Sequence, residues 1–187
     1  TSDGTTSALQ NALLAVGHQA DNDVDVTLGY GATSTTTIAG DLTVQSKLTV
    51  KKRKFSVSTS TDGNANGDAV YFGGTTSMTT GAIYHYKSDG TWEIANADAV
   101  STSDGLLGVA LGAASDTNGM LLRGTVTLDH DPGAVGDVLY LSTTAGQATA
   151  TAPSGNNDIA RVIGYCLDAS NGQIWFNPSS TFVEVDA

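Results

Sequence analysis

The sequence has a single cysteine, Cys166, and only eight basic residues among 187. One thiol cannot form an intramolecular disulfide, which excludes the class of small secreted domains held together by such bonds. Cys166 lies in the apolar run VIGYCL and is expected to be a small buried hydrophobe. With 19 acidic residues, the formal net charge is −11. This charge argues against a nucleic-acid binder, because neutralising phosphates requires a basic face.

Long hydrophobic runs are also missing. No apolar stretch approaches the roughly 18 residues that a membrane-spanning helix needs. The opening residues TSDGTTSALQ lack the charged and apolar regions of a signal peptide. No membrane segment is therefore expected, whereas a leader removed before Thr1, or a longer N-terminal part, stays open as an alternative.

The usual catalytic motifs are absent. The three histidines, His18, His85 and His130, show no His-x-His or Glu-x-x-His spacing, and there is no Gly-x-Ser-x-Gly elbow, phosphate loop or dinucleotide fingerprint. His130 in DHDPG invites a metal or acid–base interpretation, but Asp-Pro-Gly favours an ordinary turn. We expect no enzyme and no cofactor.

The phrase DNDVDV places Asp21, Asp23 and Asp25 at the first three ligand positions of a calcium loop. The loop is incomplete, because Val26 stands where Gly is needed and Ala32 where Glu is needed. No metal site is expected within one chain. An ion held between the carboxylates of several copies stays open as an alternative.

Thr, Ser, Gly, Asn and Ala dominate what is present, and this composition favours strands and turns. One amphipathic pattern, Ala8 to Val16, predicts a short helix capped by Ser7 and ended by Gly17. From Val24 to Val50 the apolar residues fall mostly at even positions, which is typical of strands with one dry face. The phrase Leu-Thr-Val occurs twice, six residues apart, and predicts short strands separated by tight corners. So narrow an apolar row needs neighbouring chains to cover it.

Four consecutive basic residues, Lys51 to Lys54, follow this segment. After them, the apolar residues fall at odd-numbered positions instead of even-numbered ones. The change predicts a boundary between a leading segment, residues 1–52, and a C-terminal β domain, residues 53–187, with a further subdivision near residue 100 as an alternative. The basic run is expected to be a solvated hinge. Contact with an acidic surface, including another copy of this protein, is the alternative.

Beyond the boundary, short apolar runs alternate with turn residues, and no helical pattern intervenes. The arrangement predicts an antiparallel β-sandwich or small barrel. AIYHYKSDGTWEIA predicts a hairpin in which Tyr84 and Tyr86 share a face, as do Trp92 and Ile94. Tyr84, Tyr86 and Trp92 are a candidate glycan contact. The alternative is one hydrophobic face packed in a core or an interface.

The stretch from Gly136 to Val185, with GDVLYLSTTAG, TAPSG, VIGYCLD and IWFNPSS, resembles the C-terminal modules of bacteriophage tail-fibre and related virion structural proteins. TIAGDLTVQSKLTV is similar to the repeated shaft sequence of the same proteins, in which three chains wind into a fibre. The resemblance implies a trimeric virion appendage and no catalytic residues. It does not distinguish a tail fibre from a head fibre or a capsid decoration protein.

The sequence therefore predicts an all-β, homotrimeric structural protein at the virion surface, with a short N-terminal helix and an intertwined β shaft before the β domain. The expected interface consists of Leu42, Val44, Leu48 and Val50. Expected partners are other copies, other virion proteins and a host-surface glycan. The alternatives are a capsid decoration or head-fibre protein, and a non-viral filament or adhesin subunit whose strand pairs with the next subunit.

Overall fold

The computed structural model of the chain describes residues 36–56 and 59–186. Its contacts divide the chain between Lys51 and Lys52 into two compact units. In the first unit, residues 36–51 are exposed and contain no helix or strand. The predicted helix from Ala8 to Val16 and the predicted acidic triplet lie outside the described residues.

The second unit is built almost entirely of short strands, which confirms the all-β class. The strands are β1 (Ala65–Val70), β2 (Ile83–Tyr86), β3 (Trp92–Ile94), β4 (Leu107–Ala110), β5 (Met120–Thr127), β6 (Val138–Leu141), β7 (Ala148–Thr149), β8 (Ile159–Ala160), β9 (Val162–Asp168), β10 (Gln173–Phe176) and β11 (Val183–Glu184). Within the described residues, helix is limited to a 3-10 turn, Val100–Thr102, and a four-residue helix α1, Ser115–Asn118. Neither was predicted, because so short a turn leaves no periodic signal.

Nine strands form one antiparallel sheet in the order β3-β2-β4-β5-β10-β9-β6-β7, with β1 paired to β5. Strands β8 and β11 form a separate antiparallel pair. The sheet is curled like half a barrel, so the structure is closer to the predicted small barrel than to two stacked sheets.

Strand β5 is the junction of the sheet because both of its edges are used. Leu121 is opposite both Ala69 of β1 and Val109 of β4. Further along, Val126 is opposite both Ala65 of β1 and Ile174 of β10. Strands β4 and β10 therefore follow one another along one edge while β1 covers the other. This forked pairing bends the sheet.

The two ends of the sheet are joined by backbone hydrogen bonds from the loop between β6 and β7. The Ile83 amide donates to the Gly146 carbonyl at 2.8 Å, and the Gly146 amide donates to the Ala95 carbonyl at 2.7 Å. The Ala97 amide adds a bond of 2.9 Å to the Ser142 carbonyl. These bonds satisfy polar groups that would otherwise be exposed at the ends of the curl.

The concave side of the sheet holds the main core. Alternation along the strands points every second side chain inward. In this core the largest fully buried apolar side chains are Ile83, Leu107, Leu121, Leu128, Leu139, Leu141, Ile163, Ile174 and Phe176. A second, smaller cluster lies on the opposite face of β2, β3 and β4 and consists of Met78, Ala82, Tyr84, Trp92, Ala110 and Met120.

Candidate functional site

The predicted interface residues form an exposed apolar row in the leading segment. Leu42 and Leu48 are 61% and 62% exposed, and Val44 and Val50 are 41% and 51% exposed. Ile38 extends the same even-numbered row. The predicted strands and their burial against other copies stay predictions, because residues 36–51 pair with no strand among the residues that the structure describes.

The basic run after the row is also exposed, and one of its members has an ion-pair partner. Arg53 Nη1 lies 2.5 Å from Asp68 Oδ1, and Arg53 Nη2 lies 3.3 Å from Asp68 Oδ2. The hydrogen bond to Arg53 lowers the pKa of Asp68 and raises that of Arg53. The Arg53 guanidinium also stacks over the ring of Phe55, which in turn packs against Trp175. Arg53 thus fixes the start of the β domain.

The predicted aromatic hairpin is confirmed, with Tyr84 opposite Ile94 and Tyr86 opposite Trp92. Trp92 is only 3% exposed and donates from Nε1 to the Phe72 carbonyl at 2.9 Å. The Trp92 ring is stacked on Phe72, with centroids 5.8 Å apart, and lies 5.0 Å from the ring of Tyr86. The faces of Trp92 are therefore covered by protein.

Tyr84 is buried as well, and its hydroxyl accepts a hydrogen bond of 2.8 Å from the Thr79 amide. Of the three candidate glycan contacts, Tyr86 alone is half-buried rather than buried. The cluster has the packing expected of a hydrophobic hairpin face. The predicted glycan contact through Tyr84, Tyr86 and Trp92 stays a prediction.

His85 is 2% exposed, and neither ring nitrogen makes a hydrogen bond. Its Nε2 atom lies 3.5 Å from a carboxylate oxygen of Glu93, and its Nδ1 atom lies 3.8 Å from one of Asp104. The residue borders a cavity of about 340 Å³ that is also lined by Lys87, Ser88 and Ser101. Because the two carboxylates lie at opposite nitrogens, they do not converge on one point, as a metal ion would require.

His130 occupies the loop after β5, and both ring nitrogens are used there. Its Nδ1 atom lies 2.7 Å from a carboxylate oxygen of Asp129, and its Nε2 atom accepts the Ala148 amide at 2.9 Å. An Nε2 that accepts a hydrogen bond carries no proton, so the proton of the neutral ring is on Nδ1. The bond to the Ala148 amide ties the loop to β7, and the two bonds together occupy both ring nitrogens.

Cys166 is buried, as predicted. Its thiol contacts the Gly133 carbonyl at 3.4 Å, and burial raises its pKa above the ordinary value. In the part of the chain that the structure describes, no three His, Cys, Asp or Glu side chains are grouped to hold a metal ion. Nor does any helix among those residues have the length and apolar character to cross a membrane.

Sequence reasoning missed Arg161, which is 4% exposed. Its guanidinium donates three hydrogen bonds to the carbonyls of Ser103, Gly105 and Ser179. The signal was present as a lone arginine at the start of the apolar run RVIGYCL, because a charge beside core residues must be paired.

No family model matches this chain, and neither any curated protein nor any solved structure matches it.

Proposed function

We propose that this protein is a structural subunit that assembles as a homotrimer through the leading segment, and that the trimer is a short fibre-type appendage on a virion surface. The observation that carries the proposal is the exposed row of Leu42, Val44, Leu48 and Val50, which lies in a segment without helix or strand. Fully removing one such side chain from water contributes about 1.5–3 kcal/mol. Burying equivalent rows around a common axis is the simplest way to gain that energy.

The virion location is supported by the resemblance of residues 136–185 to phage fibre modules and of the Leu-Thr-Val phrase to fibre shafts. The shaft would be short, because the phrase occurs only twice. A capsid decoration or head-fibre protein would use the same trimer. Imaging the labelled chain on particles distinguishes these locations.

The assembly is tested by sedimentation of the wild type and of the double variant Leu42→Asp with Leu48→Asp. The matched control is Thr43→Asp with Thr49→Asp, which adds the same charge on the opposite parity of the segment. We expect trimers for the wild type and the control, and monomers or insoluble chains for the first variant. Trimers that survive Leu42→Asp with Leu48→Asp would refute the proposed interface. Head-to-tail polymers in electron micrographs would indicate a filament subunit instead.

A further inference from the structure

His85 on β2 has an acidic side chain next to each of its two ring nitrogens. Its partner across the hairpin is Glu93 of β3, and its partner on the other side is Leu107 of β4. Glu93 lies 3.5 Å from Nε2, and Asp104, in the loop after the 3-10 turn, lies 3.8 Å from Nδ1. Both nitrogens are closed off from solvent and make no hydrogen bond with the residues that the structure describes. A carboxylate thus lies within ion-pair distance of each nitrogen.

A neutral ring does not match this arrangement. A neutral imidazole has one N–H donor and one bare acceptor nitrogen, whereas an ionised carboxylate only accepts. Whichever nitrogen carries the proton, the other faces a carboxylate oxygen with no proton between them. A buried acceptor left without a donor is costly. The imidazolium has two N–H donors, one for each carboxylate, so the site is complementary to the protonated ring.

The charges around the ring favour the same form. Besides the carboxylates of Glu93 and Asp104, Asp89 lies in the hairpin turn with its Oδ2 atom 3.0 Å from Lys87 Nζ. Lys87 Nζ is also 3.9 Å from Glu93 Oε2. From the start of β9, Arg161 donates to the carbonyls of the residues before and after Asp104. Three carboxylates and two cations thus surround the imidazole, and one proton on the ring balances them.

We propose that protonation of His85 is a pH-sensitive latch between the β2–β3 hairpin and the loop that carries Asp104. The imidazolium donates from Nε2 to Glu93 and from Nδ1 to Asp104. Charge-assisted N–H···O bonds are about 2.7–2.9 Å long, so the two carboxylates approach the ring by roughly 0.6–1.1 Å when the latch closes. When the proton leaves, one nitrogen becomes a bare acceptor again and the loop is held less tightly.

The latch acts on the cavity beside the ring. This cavity of about 340 Å³ is lined by Lys87 and Ser88 of the hairpin and by Ser101 and Asp104 of the loop. Arg161 still holds the loop when the imidazole is neutral, because its bonds are to backbone carbonyls. Loss of the proton therefore widens the cavity without detaching the loop. All of these groups lie in the β domain, so the inference does not depend on the proposed self-assembly.

Nitrogen-15 NMR of the histidine side chains tests the protonation step. Two-bond correlations between ring protons and ring nitrogens show whether one or both nitrogens carry a proton, and His85→Gln assigns the signals. Histidines ordinarily change charge between pH 5 and pH 8. Over this range we expect His85 to pass from two protonated nitrogens to one. A ring that keeps one state throughout, neutral or charged, would overturn the inference.

Amide hydrogen exchange tests whether the proton tightens the loop. The amides of Thr102, Ser103 and Asp104 donate within the 3-10 turn and report on its opening. Their protection is compared at pH 5 and pH 8, with labelling times rescaled for the pH dependence of chemical exchange. We expect about tenfold less protection at pH 8, since each partly exposed ion pair contributes a factor of a few. Equal protection at the two pH values would contradict the latch.

Conservative variants separate the latch from general stability. Glu93→Gln and Asp104→Asn keep the size of the side chain but supply an amide that can donate to a bare nitrogen. Each is expected to reduce the tenfold difference to a factor of a few, and because both keep the ring they carry the test even where His85→Gln does not fold. His85→Gln is expected to abolish the difference, whereas the matched control His130→Gln should leave it unchanged. A difference that persists in the first three variants, or disappears in His130→Gln, would show that another group is responsible.

Discussion

Arg161 Nη1 donates a hydrogen bond of 2.5 Å to the carbonyl oxygen of Ser103, which lies 58 residues earlier in the chain. The other two donors reach the carbonyls of Gly105 and Ser179, each at 2.8 Å. Burial lowers the pKa of Arg161, and the nearby Asp104 carboxylate acts in the opposite direction. One buried side chain therefore links the 3-10 turn region, the start of β9 and the C-terminal residues.

Arg161→Met is expected to lower the free energy of unfolding by about 3 kcal/mol, because the buried Ser103 carbonyl and the carbonyls of Gly105 and Ser179 lose their donor. Arg161→Lys should recover part of this loss, since an ammonium still donates but does not match the fork of the guanidinium. Urea unfolding at neutral pH measures both. Arg123→Met is the control, because Arg123 is exposed and its guanidinium lies over the Trp175 ring at 5.8 Å. If both arginine-to-methionine changes cost the same, the buried linkage contributes little.

Trp92→Ala is expected to destabilise the domain by about 3–5 kcal/mol, since it empties the centre of the second hydrophobic cluster. Trp92→Phe keeps most of the packing but loses the hydrogen bond to the Phe72 carbonyl, so about 1 kcal/mol should be lost. Thermal or urea unfolding provides the values. A Trp92→Ala variant as stable as the wild type would mean that the ring is not part of the core.

Glycan binding, if present, is expected to depend on Tyr86 and Phe72 rather than on the covered face of Trp92. Glycan arrays with Tyr86→Ala and Phe72→Ala, each checked for native circular dichroism, test this. A hit that survives both changes would place the contact outside this cluster. Loss of binding in Trp92→Ala alone would be ambiguous, because that change also removes core packing.

The Asp89 carboxylate in the hairpin turn has its pKa lowered to about 2 from 3.8, first by the Thr91 hydroxyl and then by Lys87. A pKa that is lower in the folded state adds stability that is complete above the unfolded value. This contribution is lost as the pH falls from about 4 to about 2. Carbon-13 NMR of the carboxyl should show a midpoint near 2, and Thr91→Val should raise it. A midpoint near 4 in the wild type would contradict the turn geometry.

Gly124→Ala is expected to destabilise the domain by more than about 2 kcal/mol, which is the range of steric overpacking. Gly124 has a φ of 146°, and an added Cβ would lie 2.2 Å from the Asn66 carbonyl oxygen and 2.7 Å from the Gly67 Cα atom. Strands β1 and β5 would have to separate there. Gly40→Ala is the control, because an added Cβ at Gly40 meets no atom within 4 Å. Equal unfolding midpoints for the two variants would contradict the close approach.

The local features of the fold were predictable and the long-range ones were not. The β2–β3 hairpin follows from Ser-Asp-Gly-Thr between alternating apolar residues, because turn chemistry and strand parity are both local. The sequence of β5 does not specify which three strands pair with it. Strand β4 comes only about ten residues before β5, but β1 and β10 are segments roughly 50 residues away along the chain, and similar apolar patterns elsewhere could pair with β5 in many ways.

The candidate sites show the same limit. The apolar row of Leu42, Val44, Leu48 and Val50 could be predicted because its residues all fall at even positions of the sequence. Its exposure in one chain follows because a single row of side chains is too narrow to form a core. The burial of Trp92 was not visible, because the residues that cover it, Phe72 and Met78, come from the loop before β2. Likewise, the hydrogen bond to His130 Nε2 comes from the Ala148 amide, which local sequence cannot bring near.

The residues that open the β domain are attached to the middle of the sheet rather than to its rim. The Thr125 hydroxyl donates to the Ser56 carbonyl at 2.7 Å, and the Thr127 hydroxyl donates to the Thr59 carbonyl. A pulling force applied through the leading segment would therefore be transmitted to β5, which is hydrogen-bonded to three other strands. The force would therefore not act first on an outer strand, which separates from a sheet more easily than a central one. An appendage anchored in this manner would resist mechanical force better than its thermal stability alone suggests.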